Sequence, residues 1–337
     1  FYLMKNPLLV FNQNGIYCPK AKIYIDAWKP VDKVIISHAH SDHSKYGHQH
    51  YLTHPNSVPI VKHRLGNINI ESKEWGEKFT INGVQFSLHP AGHIIGSSQV
   101  RVEYKGDVWV YSGDYKRVND GISTPFEPVR CNTFITECTF GLPAFNWKKQ
   151  EIVINEINDF WKECKANNQT AVLFAYSLGK AQRLIANLNL EIGKIYTHGA
   201  VENLNELIRT YKNLPKTYRI TRETKKEDLI GNLVIAPPST HGSPWLKKMV
   251  PYVTSSSSGW MTFRGARRRR AIDRGFVLSD HVDWKDLIQT IEDTEAKNIV
   301  CTHGYKDIFS KYLNENGYNS FMENTPFQEE EIIENNV

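Results

Sequence analysis

The sequence predicts an α/β protein in which a strand-rich first part is followed by a distinct unit of alternating strands and helices. Three observations carry this. Short runs of β-branched and aromatic residues, bounded by Gly, Asn, Pro or Asp, occupy the first 140 residues. From about residue 147 the apolar period changes to helical spacing. Strands then alternate with helices, the pattern of a parallel sheet.

Taken in order, KIYIDA (22–27), KVIISH (33–38), VQFSLHPAG (84–92), SQVRVEY (98–104), VWVYSGD (108–114) and NTFITE (132–137) read as strands. In KQEIVINEINDFWKECKANN (149–168), Ile152, Ile157, Phe160, Trp161 and Cys164 fall near one helix face, and an Asn pair ends the run. Strand AVLFAY, helix GKAQRLIANL, strand KIYTHG, helix VENLNELIRTYKN and strand LVIAPP follow, so residues 145 to about 262 read as a unit of their own. The helix DWKDLIQTIEDTEA then sets Trp284, Leu287, Ile288 and Ile291 on one face, and strand KNIVCTHG and helix IFSKYLNENG close the fold. Residues 323–337 lack periodicity and are expected to be a loose acidic tail.

A chain of 337 residues can bury a large core. Its apolar runs are strand-sized, so no membrane partner is expected. Five cysteines, odd in number and without a CxxC pair, argue against a disulfide framework. With no secretory-type leader legible at the start, the expected compartment is the cytoplasm. The net charge of +5 decides little, but its distribution is uneven. RGARRRRAIDR (264–274) holds six arginines against one aspartate, while QEEEIIENN (328–336) is acidic, which suggests a polyanionic partner at one surface.

The chemistry is concentrated in VIISHAHSDHSK (34–45). Residues two apart on a strand share a side, so His38 and His40 aim together, and the turn at Ser41 can bring Asp42 and His43 to a neighbouring point. Three imidazoles and a carboxylate so close suit borderline divalent metals such as zinc. Neither half-site is complete locally, so later segments are expected to add ligands. His93 in HPAGHIIGSSQV, Asp114 ending VWVYSGD and His303 ending NIVCTHG are ligand-type residues at the ends of apolar strands, where loops gather into sites.

The order HxHxDH, AGHxxGS, GD, THG resembles the metallo-β-lactamase superfamily. The resemblance implies an αββα sandwich with two metal ions at one edge. It implies His38, His40 and His93 on one ion, Asp42, His43 and His303 on the other, and Asp114 bridging them. Asp26 would be a hydrogen-bond partner of a ligand. FITECTFG (134–141), AYSLGKAQRLI (175–185), VLSDHVDW (277–284) and His303 resemble, in order, the hallmarks of the β-CASP nucleic-acid-processing branch. The implied organisation is a metallo-β-lactamase domain over 1–144 and 263–322, a β-CASP insertion over 145–262, and the tail.

Within that branch IAPPST, SPWLKK, SSSSGWM, RGARRRR and DRGFVLSDHVDW resemble the bacterial ligase-associated DNA exonucleases. The implied activity is hydrolysis of DNA phosphodiesters in repair, with a DNA ligase and a helicase as partners, and zinc, or else manganese, as the pair of ions. His303 departs from the DNA-crosslink-repair nucleases, which usually carry Val there, and is similar to the RNA-cleaving members. RNA therefore remains the alternative substrate, and a non-catalytic nucleic-acid-binding subunit a more distant reading.

Phosphodiesters repel nucleophiles and have poor leaving groups; two divalent cations lower the pKa of water and offset phosphate charge. Asp42 is expected to orient that water. His281 is the expected general acid, with Glu137 orienting it and keeping it protonated. Ser177 and Lys180, in a Ser-x-Gly turn entering a helix, are expected phosphate contacts. Arg264, Arg267 and Arg268, within the arginine run 264–270, are expected to line the nucleic-acid track.

Overall fold

Strand alternation sorts the apolar residues of the first part onto two faces. The computed structural model describes residues 7–269 and 271–327, the side chains at 266, 267 and 269 apart. The described residues form two compact units: one from residues 7–119, 123–146 and 281–327, the other from 120–122 and 147–280.

The first unit holds two sheets. One orders Val10–Asn12, Gly15–Cys18, Ile23–Ile25, Lys33–Ile35, His50–Thr53 and Ile70–Ser72. The other orders Asn319–Met322, Asn298–Thr302, Thr133–Glu137, Asp107–Tyr111, Ser98–Tyr104, Val84–Pro90 and Phe79–Ile81. Ile16, Ile25 and Ile35 of the first sheet pack with Phe86, Val102, Trp109, Ile135 and Val300 of the second in one buried cluster. The alternate residues Val110, Phe134 and Ile299 face the opposite way, against Leu287 and Ile291 of helix Trp284–Thr294 and Phe309 and Leu313 of helix Lys306–Glu315. Val34, Ile36 and Tyr51 pack with Leu65, at the end of helix Val58–Leu65, on the outer face of the first sheet. This is an αββα sandwich. Each such apolar side chain, once buried, contributes about 1.5–3 kcal/mol.

The second unit is a wholly parallel sheet in the order Tyr218–Arg219, Ile195–Thr197, Leu233–Ala236, Thr170–Phe174, Tyr252–Ser257, Arg274–Phe276. Helix Gln150–Ala166 buries Val153, Ile154, Ile157, Phe160, Trp161 and Cys164. Ile152, expected on that face, is 49% exposed, because Val153 and Ile154 occupy the inward positions instead.

Two expected boundaries change. Residues 263–280 belong to the second unit, not the first, because Arg274–Phe276 hydrogen-bonds alongside Tyr252–Ser257 as its sixth strand. The loose tail does not begin at 323: Glu323 N donates to Cys301 O, and Phe327 is buried in the inter-sheet core. Residues 328–337 lie outside the described residues. Among the described residues no helix is long and apolar enough to cross a membrane.

Candidate metal centre

Strand ends of the first unit deliver the site. The loop after Lys33–Ile35 carries His38 to His43, the turn between Val84–Pro90 and Ser98–Tyr104 carries His93, the exit of Asp107–Tyr111 carries Asp114, and the exit of Asn298–Thr302 carries His303. Two glycines allow the close approach. At Gly92 (φ +73) a Cβ would meet Lys116 O at 2.2 Å, and at Gly304 (φ +62) it would meet Cys138 O at 2.3 Å. Both stand beside a histidine, so any larger residue would push that histidine away.

Asp114 is the point of convergence. Its Oδ2 lies 3.4 Å from His38 Nε2, 3.5 Å from His43 Nε2 and 3.8 Å from His93 Nε2, and its Oδ1 lies 3.7 Å from His303 Nε2. His40 Nδ1 is 3.1 Å from His93 Nε2. His38, His40, His93 and Asp114 offer ligand atoms all within 4.8 Å of one another, as do Asp26, His38 and His43, and Asp114, Glu137 and His281. Asp42, His43 and His303 do not close into a group of that tightness among the described residues. Instead His43 and His303 each approach Asp114, and Asp42 Oδ2 is 3.5 Å from His43 Nε2.

Hydrogen bonds fix the rings from behind. Asp26 accepts from Ser37 N (2.7 Å), Ser37 Oγ (2.5 Å) and Tyr111 Oη (3.0 Å), and its Oδ2 sits 2.7 Å from His43 Nδ1. Ser37 Oγ in turn lies 3.0 Å from His38 Nδ1. Asp26 is held at φ +43, a strained value for a residue with a Cβ, and this dense bonding holds it there. Ser37 and Tyr111 were not singled out from the sequence, where the one reads as a strand end and the other as core.

The donor set fits divalent cations. Among the described residues, Nε2 of His38 and His43, Nδ1 of His303 and Oδ1 of Asp42 and Asp114 are buried without a hydrogen-bond partner. Each such atom costs about 1–3 kcal/mol if left unsatisfied, and a cation would satisfy several together. Imidazoles with carboxylates are the donors that borderline metals take. The protonation states carry the same strain. Burial lowers His43, yet Asp114, Asp42 and Asp26 push it up to about 10. Burial, opposed by the His43 charge, pushes Asp114 up. Burial and the neighbouring imidazoles hold His38 well below its ordinary value.

Beside this cluster, His281 Nδ1 lies 2.7 and 2.9 Å from the two Glu137 oxygens. Tyr115 N donates to Glu137 Oε1 (2.8 Å) and Thr139 Oγ1 to Oε2 (2.5 Å), and that hydroxyl is 3.0 Å from His303 Nε2. Burial alone would raise Glu137, but the His281 charge and hydrogen bond keep it low and ionised. A carboxylate in that state only accepts, so Nδ1 is the donating nitrogen of His281. The His281 ring is 4.7 Å from that of His93, centroid to centroid.

In the second unit the expected contacts divide. Lys180, expected as a phosphate contact, is fully buried, with Nζ 3.4 Å from Asp280 and 4.6 Å from the Tyr176 ring centroid. Arg183 shares that carboxylate at 2.9 Å and donates to Ser279 O. At the turn after Ser177, Gly179 N donates to Gln182 and Ala181 N to Tyr176 O, so these N–H groups are already taken. Ser177 itself is half-buried. Arg264 and Arg268 are exposed on the short helix Arg264–Arg269; the side chain of Arg267, like residue 270, lies outside what is described.

No protein-family model matches the chain. A "Probable DNA ligase" of Opitutus terrae is 31% identical over 309 residues, covering 90% of this chain and 30% of the relative. An "RNase J-like protein" of Methanocaldococcus jannaschii is 25% identical over 221 residues, covering 55% of this chain and 51% of the relative. The chain thus spans from under a third to about half of the length of these curated relatives. A crystal structure of a protein of unknown function from Enterococcus faecalis V583 shares the fold, with a TM-score of 0.58 at 13% identity, over 88% of this chain and 79% of that one. The αββα unit with its histidine and aspartate cluster, the parallel second unit and these relatives are consistent with the resemblance to the β-CASP branch of the metallo-β-lactamase superfamily.

Proposed function

We propose that the protein is a metal-dependent nuclease of the cytoplasm that hydrolyses DNA phosphodiesters, as an exonuclease in repair alongside a DNA ligase and a helicase. One observation carries the reading: the Glu137–His281 pair shares Asp114 with the histidine cluster, so a proton donor stands beside a cation-binding set. His38, His40, His93 and Asp114 would hold one cation, and Asp42, His43 and His303, with Asp114, the other. Zinc suits these donors, and manganese could replace it. Bound there, the two cations lower the pKa of water and offset charge on the phosphate.

The chain's own groups do the rest. Asp26 orients His43. Asp42, whose Oδ1 is buried without a partner among the described residues, orients the attacking water. His281 gives its proton to the leaving oxygen, and Glu137 keeps the ring turned and protonated. Arg264, Arg267 and Arg268, with Ser177, contact the phosphate backbone. DNA as substrate is supported by the ligase-named relative, which covers nearly all of the chain. A second reading, RNA, is supported by His303 and by the RNase J-like relative.

End-labelled single- and double-stranded DNA and matched RNA, incubated with zinc or manganese and with or without chelator, test this. The expected result is chelator-sensitive shortening of labelled DNA. Preference for RNA would select the second reading, and no cleavage of either by the metal-loaded protein would refute both.

A further inference from the structure

The two expected ligand sets are braced differently. His38, His40 and His93 lean on one another, each pair with ring centroids 4.9 Å apart. His43 is tilted on His38, centroids 4.2 Å apart, but among the described residues His43 and His303 do not pack on each other. They share instead the ring of Phe327, a residue far along the chain from every motif. Phe327 stacks on His43 with centroids 4.1 Å apart and planes at 18°, and meets His303 edge-on at 6.0 Å and 84°. Trp28 also meets the Phe327 ring edge-on, at 5.8 Å and 81°.

The segment that carries Phe327 is tied to the His303 loop. Glu323 N donates to Cys301 O, and Lys306 Nζ donates to Glu323 O and to Asn324. Asp26 holds His43 through Nδ1 at 2.7 Å, but a hydrogen bond at one ring atom restrains the tilt of the ring less than a packed face does. A flat aromatic face against it limits that tilt and excludes water from one side.

We propose that Phe327 is a positioning residue for the second cation: an apolar clamp that holds His43 and His303 in ligating orientation and keeps that half-site dry. The inference rests on the two-cation reading above. Groups behind metal ligands, and the apolar shell around them, typically change metal affinity by about tenfold to a hundredfold.

The test is stepwise titration of the chelator-stripped full chain with zinc against a chromophoric chelator, with cobalt absorption as a second readout, in wild type, Phe327→Ala and Phe327→Leu. The first equivalent should bind all three alike. The second should bind Phe327→Ala about ten- to a hundredfold more weakly and Phe327→Leu at an intermediate level. Melting curves of the metal-free variants establish that each is folded, and Phe327→Leu alone carries the test if the alanine variant is not. Two equivalents bound with wild-type affinity, or equal weakening of both, would overturn the clamp and leave the two-cation reading standing. A wild type that takes up fewer than two equivalents would overturn both. Two equivalents without cleavage of nucleic acid would defeat the nuclease reading alone.

Discussion

Asp26 and His281 are each defined by what their neighbours prevent. Asp26 accepts from Ser37 and Tyr111 and faces His43 Nδ1, so it is an anchor with no oxygen to spare for a substrate. Asp26→Asn should therefore keep the fold but weaken zinc binding by roughly ten- to a hundredfold, measured by competition with a chelator. His281 is tied at Nδ1 to an ionised Glu137, which fits a proton donor better than a ligand. His281→Ala should lower turnover by roughly a hundredfold to ten-thousandfold with metal content unchanged by elemental analysis. Loss of metal would make His281 a ligand instead.

Among the elements, helix Trp284–Thr294 begins three residues after His281, and Asp283 caps it by accepting from Asp286 N. Asp283→Ala should cost about 1 kcal/mol in a denaturant melt. In the second unit, helix Gly199–Ile208 is fastened by Glu202, which accepts from Thr197 (2.5 Å), Arg209 (2.7 Å) and Thr217. Burial opposes its charge, but these bonds win and hold its pKa below the ordinary value. The folded value being depressed, Glu202 stabilises the unit above the unfolded pKa of about 4.3 and loses that contribution as pH falls through the folded value. The stability difference between wild type and Glu202→Gln should thus be full at neutral pH and shrink in acid, read by denaturation at a series of pH values.

For the molecule as a whole, the cluster around Asp114 crowds like-charged and desolvated groups that cations would relieve. Chelation should lower the melting temperature and zinc restore it. The restoration should strengthen with pH, because the ligands must lose protons to bind; a melt indifferent to zinc at every pH would refute this. Lys180 and Arg183 meet one buried carboxylate, Asp280. Asp280→Asn would remove the charge that both cations share, for which a loss of about 3–5 kcal/mol is typical, read in a denaturant melt.

The fold class, the two kinds of unit and the strand-end positions of His93, Asp114 and His303 were legible in the sequence, since period, turn residues and motif order are local properties. Closeness across the fold was not. That Asp114 draws four imidazoles, that Ser37 and Tyr111 converge on Asp26, and that Lys180 turns inward to Asp280 all depend on which strands pair and which faces they bury. Arg274–Phe276 joins the second unit's sheet because Tyr252–Ser257 offers it an edge. Phe327, in a stretch without periodicity, gains its place only when the chain returns past the His303 loop. Local pattern writes which atoms can coordinate or transfer a proton; long-range packing decides which of them meet.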